Sequence, residues 1–248
     1  MYAKKFLCMA IIVATFFAIS LGAQQKNKPY DYPVKPGTKE WKAFTSHEQK
    51  RQACQIPQSI LISMSTPDLL VTCLNYPLYG DIMAYNRAQE GFEYVKKGFN
   101  GLQELLKRND IGAGIVELYD KMDPGAIDKS WTSIEKGKYS FKFFSIEILL
   151  AQDEVISNLS KNDRIKLLRE SHKKLKVRQQ HPKVYGFMGF TNSVLLMGRI
   201  MLKEKYEPFV KLISRDTKLN GILQKATPIS KEHMSEIVKL VEKYLEQK

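Results

Sequence analysis

Apolar residues recur along most of the chain at the three- and four-residue spacing that amphipathic helices require. In the segment 161–178, Ile165, Leu168 and Leu175 fall on one side of a helix that turns by about 100° per residue, and basic residues fall on the other. The run 138–156 alternates at first, as a strand does, but its length favours a helix. No Asn-Gly or Asp-Gly turn separates alternating runs, so the pattern predicts an all-α fold, an irregular helical array in one compact domain.

Short polar motifs mark where helices begin. Ser46 and Gln49 have the spacing of a capping box, in which each side chain bonds the other residue's backbone. Ser65, Pro67 and Asp68 supply a hydroxyl cap, a first-turn proline and a first-turn acid. We therefore predict one helix after each of the two serines.

Residues 1–23 have the layout of a secretory signal peptide. Lys4 and Lys5 form a positive start, an uncharged apolar run follows, and small residues end the segment at Ala23. We expect cleavage near Ala23 and export to the periplasm or the extracellular space. The alternative is an uncleaved membrane anchor, although the apolar run falls just short of the roughly 20 residues that span a bilayer comfortably. A second uncharged stretch, 184–198, is interrupted by Gly, Asn and Ser and predicts a core helix, so no transmembrane span is expected in the mature chain.

The chain after the signal peptide divides into two parts. Residues 24–37 are rich in proline and lysine, which favours an extended backbone, and we expect a tether with Tyr30 and Tyr32 at the domain surface. Residues 38–248 are expected to form a single helical domain.

Two parts of that domain, 64–122 and 159–226, share the residues that begin and end helices, in the same order. Each has a Ser-x-x-Asp helix start, a proline at the end of the first helix, a Tyr-Gly pair, and an asparagine six residues after that glycine, Asn86 or Asn192. They are candidate repeat units that resemble HEAT- or armadillo-type helical repeats in style. Unrelated helical segments share such features too, so chance similarity is the alternative.

Four short stretches, KPGTKEW, ACQIP, LVTCLNYPL and WTSIEKGKYSF, resemble a family of secreted bacterial proteins with no assigned activity. The resemblance covers most of residues 30–210. It implies export and a helical fold, and it carries no catalytic residue.

The composition is that of a globular protein, but the charge is strongly positive. The chain has 39 Lys and Arg against 26 Asp and Glu, a formal net charge of +13, and removing the signal peptide with its two lysines leaves 13 − 2 = +11. Such a charge favours anionic partners. It is concentrated on the predicted helix 161–178, where one side carries the candidate binding residues Lys166, Arg169, Lys173 and Lys176, extended by Lys174. The alternative is a solvated lysine-rich face.

Export also changes the interpretation of the cysteines. Removing the signal peptide leaves Cys54 and Cys73, and an even pair in an oxidising compartment predicts a disulfide. Two buried free thiols are the alternative, because cysteine is often a core residue.

Catalytic, metal-binding and cofactor motifs are missing from the sequence. It contains no HExxH, CxxC, GxSxG, GxGxxG or Walker loop, so we predict no catalytic residue, no metal and no cofactor. The acid pairs Asp120/Asp123 and Asp153/Glu154 fit helix ends and solvent as well as they fit acid–base chemistry.

These observations predict an exported, non-enzymatic helical binding protein with a basic surface. Its partner is expected to be an anionic polymer, a membrane surface, or an envelope or extracellular protein. Few aromatic residues interleave with the basic residues, so no specific nucleic acid is expected. The alternatives are a hydrolase or lyase with a site assembled in a cleft between helices, and a secreted effector.

Overall fold

A computed structural model describes residues 28–186 and 188–248, and the predicted all-α class is confirmed there. The predicted signal peptide and residues 24–27 of the predicted tether lie outside the described residues. In the described part, no strand forms, and a 3₁₀ helix at Tyr79–Ala84 accompanies the α-helices. The α-helices are α1 (Lys39–Ala43), α2 (His47–Ala53), α3 (Gln58–Ser63), α4 (Thr66–Leu74), α5 (Ala88–Gly98), α6 (Asn100–Leu105), α7 (Ile111–Lys121), α8 (Ser133–Leu150), α9 (Asp153–Asn158), α10 (Lys161–Gln179), α11 (Pro182–Tyr185), α12 (Met188–Lys203), α13 (Glu207–Arg215), α14 (Thr217–Lys225) and α15 (Lys231–Leu245).

The predicted helix starts are confirmed. The Ser46 hydroxyl accepts the Gln49 backbone N–H at 3.2 Å, and the Gln49 side chain accepts the Ser46 N–H at 3.3 Å, which completes the capping box of α2. The Ser65 hydroxyl accepts the Asp68 N–H at 3.3 Å at the start of α4, with proline in the first turn. Both caps satisfy backbone donors that have no partner inside their own helix.

Helix α12 is the central helix of the array. It packs against α8, α10 and α15, and it buries Val194, Leu196, Met197 and Ile200 completely. It contains most of the uncharged stretch 184–198, so the predicted core helix is confirmed. The ambiguous run 138–156 is helical as well, since it forms most of α8 and continues into α9.

The amino-terminal segment corrects the prediction of a tether. Tyr30 and Tyr32 are buried, at 5% and 4% exposure, and they belong to the same core cluster as the helices. The backbone N–H of Tyr30 donates to the Thr72 hydroxyl at 2.8 Å, and the Tyr32 hydroxyl donates to the Thr72 carbonyl at 3.1 Å. The expectation that these tyrosines lie at the surface is wrong, because two large rings gain more from burial against α4 than from solvent.

The candidate repeat units agree at their starts and differ afterwards. Ser160 caps α10 through the Asp163 N–H at 3.1 Å, as Ser65 caps α4. However, α4 has 9 residues and packs against α6 and α7, whereas α10 has 19 residues and packs against α12. The two matched asparagines, Asn86 and Asn192, line one cavity of about 230 Å³. Duplication therefore stays a prediction.

Candidate functional site

One exposed side of α10 carries the predicted binding residues. Lys166, Arg169, Lys173 and Lys176 are all exposed, and we call these four residues the basic face. The opposite side of α10 is buried through its apolar residues, as the periodicity predicts. The spacing therefore places the four cations together.

The basic face is partly compensated by acids of the protein itself. Three of its cations form ion pairs: Lys166 with Asp120 at 3.2 Å, Lys173 with Glu170 at 3.7 Å and Lys176 with Glu242 at 2.9 Å. The three lysine side chains are between 53% and 70% exposed, and ion pairs of such exposure stabilise a protein only weakly. Arg169 has no carboxylate partner in the described residues. An external anion therefore competes with weak internal pairs and meets one unpaired guanidinium.

Lys174 does not extend the basic face, which corrects the prediction. It is only 4% exposed, and its ammonium donates to the carbonyls of Met122 at 2.6 Å and Asp120 at 3.2 Å. It also lies 5.3 Å from the centre of the Tyr119 ring. Burial lowers the pKa of Lys174, and the nearby Glu170 carboxylate opposes that shift. One residue further along a helix turns the side chain inward, where this cation caps the carboxyl end of α7.

A buried ion pair that the sequence analysis missed lies inside the array. Glu147 of α8 and Arg178 of α10 have side chains with 0% exposure. The guanidinium donates to both carboxylate oxygens, from Nη2 to Oε1 at 2.6 Å and from Nη1 to Oε2 at 3.2 Å. Glu147 also accepts the hydroxyls of Tyr119 at 2.6 Å and Ser193 at 2.8 Å. The carboxylate is thus surrounded by donors, as a buried charge requires.

The Glu147 carboxylate keeps the Arg178 guanidinium charged. Burial by itself would lower the pKa of Arg178, but the Glu147 carboxylate outweighs that effect and the pKa is raised. Burial, followed by the Glu147 charge, raises the pKa of Tyr119 well above its ordinary value. Because neither charged side chain reaches solvent, we assign the pair to the architecture and not to a reaction. A single acid within the apolar run FFSIEILL was the signal that could have pointed to Glu147.

The predicted disulfide is not formed in the structure. Cys54 and Cys73 are fully buried free thiols, and their sulfur atoms are not at bonding distance. Burial raises the pKa of Cys54 to about 11 and that of Cys73 well above its ordinary value. Their surroundings favour the neutral thiol, so the structure agrees with the alternative of two buried free thiols.

A cleft of about 560 Å³ lies between α5, α9, α12 and α14, and Arg199 is its central cation. The guanidinium donates to the carbonyls of Ala151 at 2.7 Å and Leu223 at 2.9 Å, which lie at the carboxyl ends of α8 and α14. It also donates to the Gln89 side chain at 3.0 Å. Burial lowers the pKa of Arg199. Arg199 therefore caps two helix ends, where a cation is favourable.

The paired acids also have structural positions. Asp153 and Glu154 lie in the first turn of α9, where carboxylates interact favourably with the helix dipole. Asp123 accepts the Gly125 N–H at 2.8 Å in the loop after α7. Among residues 28–186 and 188–248, no three His, Cys, Asp or Glu side chains converge as a metal site. In the same residues, no helix combines the length and the apolar character that crossing a bilayer requires.

Comparison of the chain with known protein families, with curated proteins and with solved structures gave no match. The resemblance to a family of secreted bacterial proteins therefore stays a prediction.

Proposed function

We propose that this protein is an exported, non-enzymatic binding protein whose basic face on α10 binds a linear anionic polymer. The observation that carries the proposal is the shared exposure of Lys166, Arg169, Lys173 and Lys176 along one helix. The net charge of +13 supports an anionic partner, because charge of one sign draws the opposite charge toward the surface. The apparent signal peptide and the family resemblance support export.

The geometry of α10 favours a linear polymer over a compact anion. A rise of 1.5 Å per residue separates Lys166 from Lys176 by about 15 Å along the helix axis. The four cations therefore form a row, in which several charges of one extended polyanion find partners at the same time. Each exposed contact is weak, so affinity is expected to come from their number.

A polymer is also favoured over a membrane surface. A helix that lies on a bilayer inserts large apolar side chains next to its basic ones. The exposed large apolar residues of the described chain are Ile62, Met83, Tyr85, Ile134 and Val210, and none of them lies on α10. The basic face is thus built for charge contacts alone.

The proposal is tested with a charge-reversal pair and a matched control pair. Arg169→Glu with Lys173→Glu changes the unpaired cation and the cation with the longest ion pair, at a spacing of four residues. Lys239→Glu with Lys243→Glu makes the same charge change at the same spacing on the exposed side of α15. All four positions are exposed, so both double variants are expected to fold like the parent.

Binding to a heparin-like polymer is measured at low and high salt, with anionic vesicles as a second probe. We expect the α10 pair to lose at least about tenfold in polymer affinity at low salt, because two attractive contacts become repulsive. The parent's affinity should fall steeply with salt. Equal losses from both pairs would assign binding to the diffuse net charge, and no loss from either would refute the role of the basic face. Tighter binding to vesicles than to polymer would replace the polymer with a membrane surface.

A further inference from the structure

An apolar groove lies between α4, α7 and α8, and none of the residues that line it belongs to α10. Its volume is about 230 Å³. Most of its wall is apolar, from Val71, Leu74, Leu118, Met122, Phe141 and Ile146. Except for Ile146, which is fully buried, these side chains are only partly covered by the protein. The groove therefore exposes apolar surface that an apolar chain would cover favourably.

Phe141 of α8 contributes an aromatic ring to the wall of the groove. The rings of Phe141 and Phe144 are stacked, with centres 5.6 Å apart and planes 13° apart. Tyr79 contacts Phe141 edge-on, with ring centres 6.3 Å apart. The ring of Phe141 is thus held in place, so the wall is preformed.

Three polar residues line the groove, two of them on α8 and one at the end of α4. Lys142 and Ser145 are one turn apart on α8, and Asn75 ends α4. Ser145 is 3% exposed and lines the groove. Lys142 is exposed and has no carboxylate partner in the described residues. None of the described residues that line the groove is acidic, and Lys142 gives the groove a positive charge.

We propose that this groove binds a medium-length aliphatic carboxylate, with the alkyl chain along the apolar wall and the carboxylate at Lys142. A carboxylate accepts hydrogen bonds from an ammonium, a hydroxyl and an amide, and Lys142, Ser145 and Asn75 supply one of each. Lys142 would repel a cationic head group, and a neutral head group could not form an ion pair with the Lys142 ammonium. The site is separate from the basic face, and the proposal does not depend on the anionic polymer.

Calorimetric titration of the full chain with three probes of equal chain length tests the head group. Octanoate, octanol and octylammonium share their tail and differ in charge. We expect octanoate to bind about fivefold or more tightly than octanol, because charge-assisted hydrogen bonds exceed neutral ones. Octylammonium is expected to bind most weakly.

Three variants test the location. Lys142→Gln should remove most of the preference for octanoate over octanol, whereas Lys138→Gln, the same change at an exposed site four residues earlier on α8, should keep it. Leu118→Trp places a larger side chain in the groove and should weaken octanoate and octanol alike. Circular dichroism shows whether each variant is folded, and the partial exposure of Leu118 leaves room for the indole.

Equal affinity for the three probes would refute the carboxylate and leave a plain apolar groove. Equal effects of Lys142→Gln and Lys138→Gln would refute the assigned head-group site. Absence of binding by all three probes to the folded parent would overturn the proposal. Polymer binding by the basic face is measured separately, so either proposal can fail without the other.

Discussion

The carboxylate of Glu147 and the guanidinium of Arg178 show how single residues organise the centre of this array. Both are completely buried, and the guanidinium lies over the rings of Phe143, at 5.2 Å from the ring centre, and Tyr185, at 5.7 Å. Because water does not reach either side chain, a charge that lost its partner would not be solvated by water. The pair therefore fixes how α8 and α10 sit against each other.

Removing one member of this pair is expected to destabilise the protein strongly. Glu147→Gln leaves the Arg178 charge without its counter-ion, and we expect it to lower the free energy of unfolding by about 3–5 kcal/mol. Glu147→Leu combined with Arg178→Met removes both charges and should cost less than either single change. Urea denaturation measures all of these variants. Glu207→Gln breaks the exposed pair with Lys211 and serves as the control, which we expect to be nearly neutral. A Glu147→Gln variant as mild as this control would contradict the assignment.

At the scale of elements, α10 and α15 meet through a partly buried histidine. His172 Nε2 lies 3.2 Å from Glu242 Oε1, and Lys176 reaches the same oxygen at 2.9 Å. Burial, helped by the charge of Lys176, lowers the pKa of His172, and Glu242 opposes this shift without cancelling it. The folded protein therefore favours the neutral imidazole at this helix–helix contact.

This contact predicts a pH dependence of stability. An unfolded histidine titrates near pH 6.5, and His172 in the folded protein titrates below that value. The unfolded state therefore binds more protons in this window, and stability is present above it and falls as the pH drops through it. Unfolding free energies measured between about pH 7.5 and 5.5 should decrease for the parent and decrease less for His172→Gln. Identical slopes for the parent and His172→Gln would contradict the prediction.

At the scale of the whole molecule, the packing of the amino-terminal segment limits how far into the chain a cleavage can fall without removing core residues. Tyr30 and Tyr32 belong to the core, so a chain that lost them would expose part of α4. Cleavage near Ala23 removes the apolar run and leaves both tyrosines in the chain. Export and stable packing are thus compatible with the same cleavage site.

The mature protein is accordingly expected to begin near Gln24. Signal peptidases cut after small residues that follow an apolar run, and Gly22 and Ala23 supply them. Amino-terminal sequencing of the native protein checks this directly. An intact Met1 on a membrane-bound chain would refute cleavage, and an amino terminus beyond Tyr32 would conflict with the packing of the segment.

Local signals in the sequence were sufficient for the all-α class and for the starts of α2 and α4. Ser46 and Ser65 could be identified as caps because a cap and its partner lie three residues apart. The burial of Tyr30 and Tyr32 could not, because their partner Thr72 lies about forty residues away and nothing in the proline-rich segment indicates it.

The residues of the candidate site likewise include some that the sequence predicts and some that it does not. Helical periodicity was enough to place Lys166, Arg169 and the other members of the basic face on one exposed side. Periodicity turns Lys174 away from that side, but its partners could not be predicted, because the carbonyls that hold this ammonium belong to the end of α7. It also missed the pairing of Glu147 with Arg178, which joins positions 31 residues apart.

Arg199 links parts of the chain that are far apart in sequence. Its hydrogen bonds join Gln89, Ala151 and Leu223, the first of them across 110 positions. Breaking this one junction frees the carboxyl ends of α8 and α14 together. In a hydrogen-exchange experiment, the backbone hydrogen bonds of α14 would then open as one cooperative unit. The protection factors of its amide hydrogens would depend on Arg199, a side chain outside that helix.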